Sequence, residues 1–330
     1  MTPLETVSVL CGLLLILWTY LDVLQTVLVI GGGAGVQSRR LGDGLWRLSL
    51  RLHDPSSERS HSLMRATGPL IVLCVLALWV FELTLGWALV FVPEAFAVPA
   101  GVDFLDRLQF ATRTVIGRAG NAPSLEVAGN GWESVHGIAG LTGVVIVSVG
   151  LAYVLPLLSS VAHKRSVATT VHTLAETLEG MRDAGLSRRS SPVEHHLVTL
   201  MPAISLTTER HRAYPVLHYF HAHERPPALA PAMARLVPLL RAELRAVQGP
   251  DGPGLDPAVV RPVSRTIASL AEALCQLGVE RYALERPEVE TPPDPSIDGT
   301  PGFDAVDAGL PSDEWMRAYV RYDGWNPQED

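Results

Sequence analysis

Charged residues are scarce in this 330-residue chain, where only 18% of the residues are Asp, Glu, Lys or Arg and the mean hydropathy is +0.23. Asp22 is the only charged residue between Glu5 and Arg39, Glu82 is the only one in residues 69–92, and residues 137–162 contain none. This composition excludes a disordered chain. It also excludes a nucleic-acid-binding protein that depends on bulk positive charge.

Each of these three stretches is longer than the ~20 residues that an α-helix needs to cross the hydrocarbon core of a bilayer. The first stretch has no Lys or Arg before Leu10, and it is longer than the apolar part of a signal peptide. Residues 1–30 are therefore predicted to form a retained transmembrane helix. The fold class that we expect is an all-α membrane protein with three transmembrane helices.

Cysteines and catalytic motifs are also scarce. Cys11, Cys74 and Cys275 provide neither a disulfide framework nor a paired metal-ligand spacing. The chain contains no G-x-S-x-G, H-E-x-x-H or Walker sequence. We therefore expect a protein that is not an enzyme and that has no cofactor and no bound metal.

The arginines predict the orientation in the membrane. The loop at 31–68 contains six of them, the N-terminal flank has none, and His163-Lys164-Arg165 ends the third apolar stretch. Because basic residues accumulate on the cytoplasmic side, the N-terminus is predicted outside. The loop and the C-terminal half are predicted inside, in a multi-pass protein of the cell membrane. Leu41, Leu45, Leu48 and Leu52 predict an amphipathic helix within this loop that lies on the inner leaflet.

The outward segment between the second and third stretches contains a further helical pattern. Asp103 is a typical N-cap residue, and Phe104, Leu108, Ala111 and Val115 recur on one helix face. The helix is predicted to end near Gly117, because glycine and proline follow closely. A short helix and then extended backbone between two spans is typical of a re-entrant pore loop, here residues 103–120.

In this arrangement the chain resembles the bacterial potassium-channel family, with one additional N-terminal span. The resemblance covers residues 1–165 and extends to the sequence at 213–220, AYPVLHYF. It implies a channel-like unit at 69–165, an ion pathway for a monovalent cation and a homotetramer, since one chain supplies only part of a pore. The filter-like residues implied are Thr114, Val115, Ile116, Gly117, Arg118 and Ala119.

Two functional hypotheses follow, because this filter sequence is degenerate. The family filter reads T-V-G-Y-G, and only Gly117 matches when the sequences are aligned without gaps. Ala119 replaces the second glycine, which relieves backbone strain at positive φ. The first hypothesis is cation conduction through an oligomeric pore. The alternative is a non-conducting membrane scaffold or sensor with a helical interaction domain.

Charges and glycines within the spans suggest further roles. Glu82 lies deep in the second span, where an ionisable group normally has a partner. We expect it to pair with Arg113 or Arg118 and brace the pore loop; a protonated Glu82 bonded to a neighbouring helix is the alternative. Gly150 and Pro156 in the third span predict either a gating hinge or close helix packing.

The polar half is predicted to contain a helical domain at 166–284 and a proline-rich tail at 285–330. The predicted helices are 166–184, 193–223 with breaks near Pro202 and Pro215, 229–248 and 256–282. The tail has twelve acidic residues, and Trp315, Tyr319 and Tyr322 predict a short helix that docks on the domain or a partner. Four histidines (His211, His218, His221 and His223) lack metal-site spacing, which favours core or surface positions.

Overall fold

The computed structural model describes most of the chain. The described residues are 2–29, 31, 33–54, 57–93, 97–98, 103–117, 126–127, 130–188, 191–246, 254–277 and 310–327. The helices of the first half are α1 (Pro3–Leu28), α2 (Val36–Leu52), α3 (Glu58–Val90), α4 (Phe104–Val115) and α5 (Asn130–Asp183). Those of the second half are α6 (Pro192–Ala213), a 3₁₀ helix (Pro215–Tyr219), α7 (Leu229–Ala246), α8 (Pro257–Gln276) and α9 (Asp313–Tyr322).

Three helices are long and apolar enough to cross a membrane. They comprise Pro3–Leu28, Arg59–Val90 and Gly131–Asp183. The prediction of an all-α membrane protein with three candidate spans is therefore confirmed. Strand structure in the described residues is limited to β1 (Ala97–Val98) and β2 (Glu126–Val127), which pair antiparallel.

The chain divides into two compact units. Unit 1 comprises Met1–Asp43 and Ile71–Pro156, and unit 2 comprises Gly44–Leu70 and Leu157–Asp330. Helix α5 continues without interruption for 54 residues, through the boundary predicted at residue 165. The two units divide within this helix, after Pro156. Helices α2, α3 and α5 each contribute residues to both units.

Unit 1 is built on the close approach of α1 to α3. A Cβ atom on Gly12 would lie 2.5 Å from the carbonyl oxygen of Gly86, so that only glycine permits this spacing. One turn further along, the Ser8 hydroxyl donates to the Leu89 carbonyl oxygen at 3.0 Å. Large apolar side chains of α1 and α5 remain exposed, including Leu14, Leu17, Leu141 and Leu151. Such faces suit contact with lipid.

Unit 2 has a conventional apolar core. Helix α6 packs against α8, and α7 packs against α8 and α9. The buried side chains at these contacts include Leu197, Ile204, Leu236, Val263 and Leu274. The burial of apolar surface is the main stabilising contribution in such a core.

Proline has less effect on the helices than the sequence predicts. The break expected at Pro202 is absent, because α6 continues from Pro192 to Ala213. Pro69, Pro156, Pro238 and Pro262 also lie inside helices. An internal proline removes one backbone hydrogen bond, and we attribute the continuity of these helices to tertiary packing. The break at Pro215 is present, as the boundary between α6 and the 3₁₀ helix.

Candidate pore region

The predicted short helix is present as α4 in unit 1. The Asp103 side chain accepts a hydrogen bond from the Phe104 N–H at 2.7 Å, which caps the first turn. Arg113 lies in the last turn, where a cation interacts favourably with the helix dipole. The helix ends at Val115, and Gly117 follows with φ of +80°, a conformation that L-residues with a side chain rarely adopt.

A buried arginine attaches α4 to the end of α3. The Arg107 guanidinium is 7% exposed and donates to the carbonyl oxygens of Phe91 and Pro93. Phe110 packs edge-on against Phe91, with ring centroids 5.6 Å apart. The buried face of α4 thus contains Arg107 and Phe110, whereas the predicted Phe104 is 41% exposed. Sequence reasoning missed Arg107 because it sought only apolar periodicity.

The C-terminal end of α4 packs against the apolar part of α5. A Cβ atom on Gly143 would collide with the backbone of Val115, including its carbonyl oxygen. The Thr114 hydroxyl lies 3.1 Å from Nε2 of His136, which belongs to α5 like Gly143. Gly143 is thirteen residues from the start of α5, which is about 20 Å along the helix at 1.5 Å per residue. Helix α4 therefore leads the chain to the apolar part of α5.

The filter-like residues divide into buried and exposed members. Thr114 and Val115 are buried at 1% and 3% exposure, whereas Ile116 is 59% exposed and Gly117 is exposed as well. The structure thus brings Thr114 and Val115 into contact with α5. Arg118 and Ala119 lie outside the described residues.

The predicted pairing of Glu82 with Arg113 is absent from the described residues of this chain, and Arg118 lies outside them. Glu82 Oε2 instead accepts a hydrogen bond from the Thr19 hydroxyl at 3.0 Å. The reason is the helix face on which Glu82 lies. Trp79, Glu82 and Gly86 all contact α1. The carboxylate therefore faces α1 rather than α4, as in the alternative that bonds it to a neighbouring helix.

Asp22 has an extensive role that the sequence did not predict. Its Oδ1 accepts from the Gln37 backbone N–H at 2.8 Å, and its Oδ2 accepts from the Ser38 hydroxyl at 2.5 Å and the Trp79 indole at 3.0 Å. The carboxylate therefore caps the N-terminus of α2, where negative charge is favoured. The only sequence signal was the presence of a charge in an apolar stretch.

Polar side chains also connect α5 to the other spans. The Tyr20 hydroxyl donates to the Thr142 carbonyl oxygen at 2.8 Å, and the Trp87 indole donates to the Thr142 hydroxyl at 2.9 Å. Thr142 thus joins α1, α3 and α5 next to Gly143. These hydrogen bonds fix the position of α5 next to Gly143, against which α4 packs.

Gly150 and Pro156 occupy different surroundings. A Cβ atom on Gly150 would lie 3.0 Å from Leu76 Cδ2, which favours a packing role for this glycine. Pro156 lies inside α5, and unit 1 ends on this helix at Pro156. A gating hinge at these positions remains a prediction.

The histidines of the C-terminal half lie within unit 2. His211, His218 and His221 are buried, whereas His223 is exposed. Burial lowers the pKa of each buried imidazole to about 3, despite hydrogen bonds to backbone carbonyl oxygens that act in the opposite direction. Across the described ranges, no group of three His, Cys, Asp or Glu side chains is arranged to hold a metal ion.

Comparison with known proteins finds similarity to a membrane protein. The chain is 27% identical over 224 residues to the uncharacterized membrane protein YdjJ of Bacillus subtilis (strain 168). The aligned region is 65% of this chain and 63% of that protein, so the chain spans less than two thirds of its length. No family model matches, and no solved structure matches. The relative and the three apolar helices together indicate a membrane protein.

Proposed function

We propose that the chain is one subunit of an oligomeric, potassium-channel-like cation channel, in which α4 is the pore helix. The observation that supports this most is the contact of Val115 with Gly143. It brings the end of a short helix to the apolar part of α5, and left-handed backbone at Gly117 follows. Non-helical backbone at membrane depth is tolerated where it is buried in protein or lines a water-filled path.

The polarity of α4 favours a cation at this end. The C-terminus of an α-helix carries a partial negative charge of about −0.5. Ile116 and Gly117, which follow it, are exposed in the single chain. In a ring of subunits, these residues would face a shared axis. We therefore propose a homo-oligomer, and by resemblance a homotetramer, with residues 114–119 along the pathway of a monovalent cation.

The alternative, a non-conducting scaffold or sensor with the same fold, is favoured by the filter residues themselves. The side chain of Val115 is buried and has no hydroxyl, so it provides no side-chain oxygen to an ion. Selective conduction in potassium channels depends on a ring of carbonyl oxygens from a filter with two glycines. Ala119 replaces the second of these glycines.

Flux through reconstituted vesicles separates these hypotheses. We expect purified protein to carry potassium in preference to sodium and chloride. Gly143→Ala should abolish the flux, because the new methyl group collides with Val115. Gly137→Ala on the same helix is the matched control, since a Cβ atom there meets nothing within 4 Å. Absence of flux from folded wild-type protein would contradict conduction and favour the scaffold.

A second experiment tests the position of the filter. The combined substitutions Val115→Thr, Ile116→Val, Arg118→Tyr and Ala119→Gly restore the family sequence around Gly117. If these residues form the ion pathway, potassium flux should increase relative to wild type. An unchanged flux in a folded, assembled variant would contradict the assignment.

A further inference from the structure

The C-terminal segment (residues 310–327) is held on unit 2 through its backbone carbonyl oxygens. His221 Nδ1 lies 2.7 Å from the carbonyl oxygen of Asp323, and His53 Nε2 lies 2.7 Å from that of Gly324. The Arg225 guanidinium donates to the carbonyl oxygen of Asn326 at 3.1 Å. Three side chains therefore bind carbonyl groups within four consecutive residues.

The other end of the C-terminal segment is attached independently. The Arg241 guanidinium pairs with Asp313 and donates to the carbonyl oxygen of Pro311 at 2.5 Å. The Trp315 indole donates to Cys275 Sγ at 3.0 Å. Both ends of the C-terminal segment are therefore attached to unit 2.

Three imidazoles meet beneath the segment. His61 Nδ1 lies 2.9 Å from His221 Nε2, and the His53 ring lies 4.8 Å from that of His61. Trp325 stacks on His61 and on His221, with ring centroids 4.3 and 5.0 Å apart. The imidazole cluster, defined as His53, His61 and His221, is thus covered by the C-terminal segment.

The hydrogen bonds of the cluster limit the number of protons that it can hold. A carbonyl oxygen only accepts, so His221 Nδ1 must carry a proton in order to donate to Asp323. The contact between His221 Nε2 and His61 Nδ1 holds one proton, which either nitrogen can carry. A second proton on this contact would place two N–H donors opposite each other across 2.9 Å. The docked arrangement therefore opposes protonation of both imidazoles, and burial beside Lys164 opposes a single charge on His221.

The charges around the cluster are mostly positive. Lys164, the only lysine in the sequence, raises the cost of charging His221. The Arg165 guanidinium donates to the His221 carbonyl oxygen at 3.4 Å. Among the other charged groups, Asp54 acts on His53, and the Arg225 guanidinium lies over the Trp325 ring. His211, His218 and Asp323 interact electrostatically with Lys164. Tyr319 and Tyr322 belong to the C-terminal segment, where Tyr319 interacts with Asp323 and the Tyr322 ring stacks on His218.

We propose that the imidazole cluster is a proton-binding site that releases the C-terminal segment from unit 2 when the medium is acidified. Protonation of His221 places positive charge in a buried site beside Lys164 and Arg165. Charged imidazoles are stabilised when the segment leaves and water reaches them.

Proton linkage gives the sign and size of the effect. The pKa of His221 is lowered to about 3 by burial and then by its charged neighbours, whereas an exposed histidine titrates near 6.5. The released state therefore binds the proton more strongly, and docking weakens as the pH falls below 6.5. At pH 5.5 this one histidine shifts the docked-to-released ratio by about tenfold. Burial also lowers the pKa of His53, which acts in the same direction.

Asp323 opposes this effect in part. Burial raises its pKa from 3.8 to about 6, although Lys164 and a hydrogen bond with Trp325 counteract the shift. Its docked state therefore binds a proton more strongly than its released state, and acid favours docking through this residue. At pH 5.5 the offset is roughly fourfold. Removing the carboxylate should consequently make release more sensitive to acid.

Backbone amide hydrogen exchange in the full-length protein in detergent micelles tests the proposal. After correction for intrinsic exchange rates, the protection of residues 313–325 should fall roughly two- to threefold between pH 7.5 and 5.5, because Asp323 offsets about fourfold of the tenfold effect of His221. The ten-residue helix α9 is too short to persist alone once released. Protection of α8 should stay unchanged, which distinguishes release from unfolding of unit 2.

Three variants determine whether the cluster is responsible. His221→Asn keeps one donor and one acceptor but does not titrate, so the fall in protection at pH 5.5 should be lost, although Asp323 and His53 still titrate. His223→Asn, at an exposed histidine two residues away, is the matched control and should behave as wild type. Asp323→Asn should enlarge the fall at pH 5.5 by about fourfold.

The proposal is overturned if wild-type protection of the segment does not change with pH. It is also overturned if His221→Asn loses protection as wild type does. If the C-terminal segment of the His221→Asn variant is not docked at pH 7.5, the Asp323→Asn variant provides the test. A pH profile of protection in Asp323→Asn that is identical to that of wild type then contradicts the proposal. These readouts do not depend on whether the protein conducts ions.

Discussion

The two units are stabilised by different interactions. In unit 1, the helices meet through glycines and hydroxyl groups, at Gly12 against Gly86 and at Thr142 between Tyr20 and Trp87. In unit 2, they meet through an apolar core and buried charge pairs such as Arg188 with Glu243. This difference is expected if unit 1 lies in lipid, where contact between apolar side chains gains little over contact with the acyl chains.

Buried carboxylates show the same contrast. In unit 1, Asp22 is satisfied by backbone N–H, hydroxyl and indole donors, without a cationic partner among its hydrogen bonds. In unit 2, Glu243 has the guanidinium of Arg188 at 2.8 Å and also accepts from the Leu255 N–H at 3.0 Å. Neutral donors and a helix dipole satisfy a charge without burying a second one.

The predicted orientation in the membrane can be tested by cysteine labelling of sealed cells, where the expected outcome is all-or-none. A membrane-impermeant thiol reagent applied outside should label Ser124→Cys and should not label Ser57→Cys or Ser187→Cys, in a background that lacks the three natural cysteines. Labelling after permeabilisation is the control for reactivity. External labelling at position 187 would contradict the orientation.

The largest expected change in stability is that of Asp22→Ala in unit 1. It leaves the Trp79 indole, the Ser38 hydroxyl and the start of α2 without their acceptor. We expect a loss of about 3–5 kcal/mol in the free energy of unfolding in detergent. Asp106→Ala is the control, because Asp106 is exposed in the first turn of α4 and should change stability by less than about 1 kcal/mol. Equal losses would show that Asp22 does not act as the cap.

In unit 2, Arg188→Met should remove about 3 kcal/mol, because it leaves the buried Glu243 charge unpaired. Combining it with Glu243→Gln should recover part of this loss, as expected for direct coupling. The exposed pair of Arg212 and Glu209 is the matched control, and Arg212→Met should remove no more than about 0.5 kcal/mol. Additive losses in the double variant would contradict the coupling.

The smallest effect is expected for Glu82→Gln. A glutamine can still accept the hydrogen bond of Thr19 through its amide oxygen, so the free energy of unfolding should fall by less than about 1 kcal/mol. Thr19→Val, which removes the donor, should cost a similar amount. A loss of several kcal/mol for Glu82→Gln alone would indicate that this carboxylate pairs with a cation after all, in a neighbouring subunit.

The elements of the fold that depend on local composition could be predicted from the amino-acid sequence. Apolar length was sufficient for the three candidate spans, because a bilayer of fixed thickness requires a minimum run of apolar residues. The short helix after Asp103 also followed from local signals, namely an N-cap residue, an apolar period and a terminating glycine. The aromatic stripe of Trp315, Tyr319 and Tyr322 similarly identified a helix that is buried on one face.

The helix that each polar group faces could not be predicted in this way, because it depends on how the helices pack. Glu82 contacts α1 rather than α4, Asp22 caps α2, and Arg107 anchors α4, since each depends on the rotation of one helix about its axis relative to another. The imidazole cluster depends on still longer separations, because His53, His61, His221 and Gly324 come from three distant parts of the chain. Sequence periodicity defines a face of a helix, but the packing of the helices determines which element contacts that face.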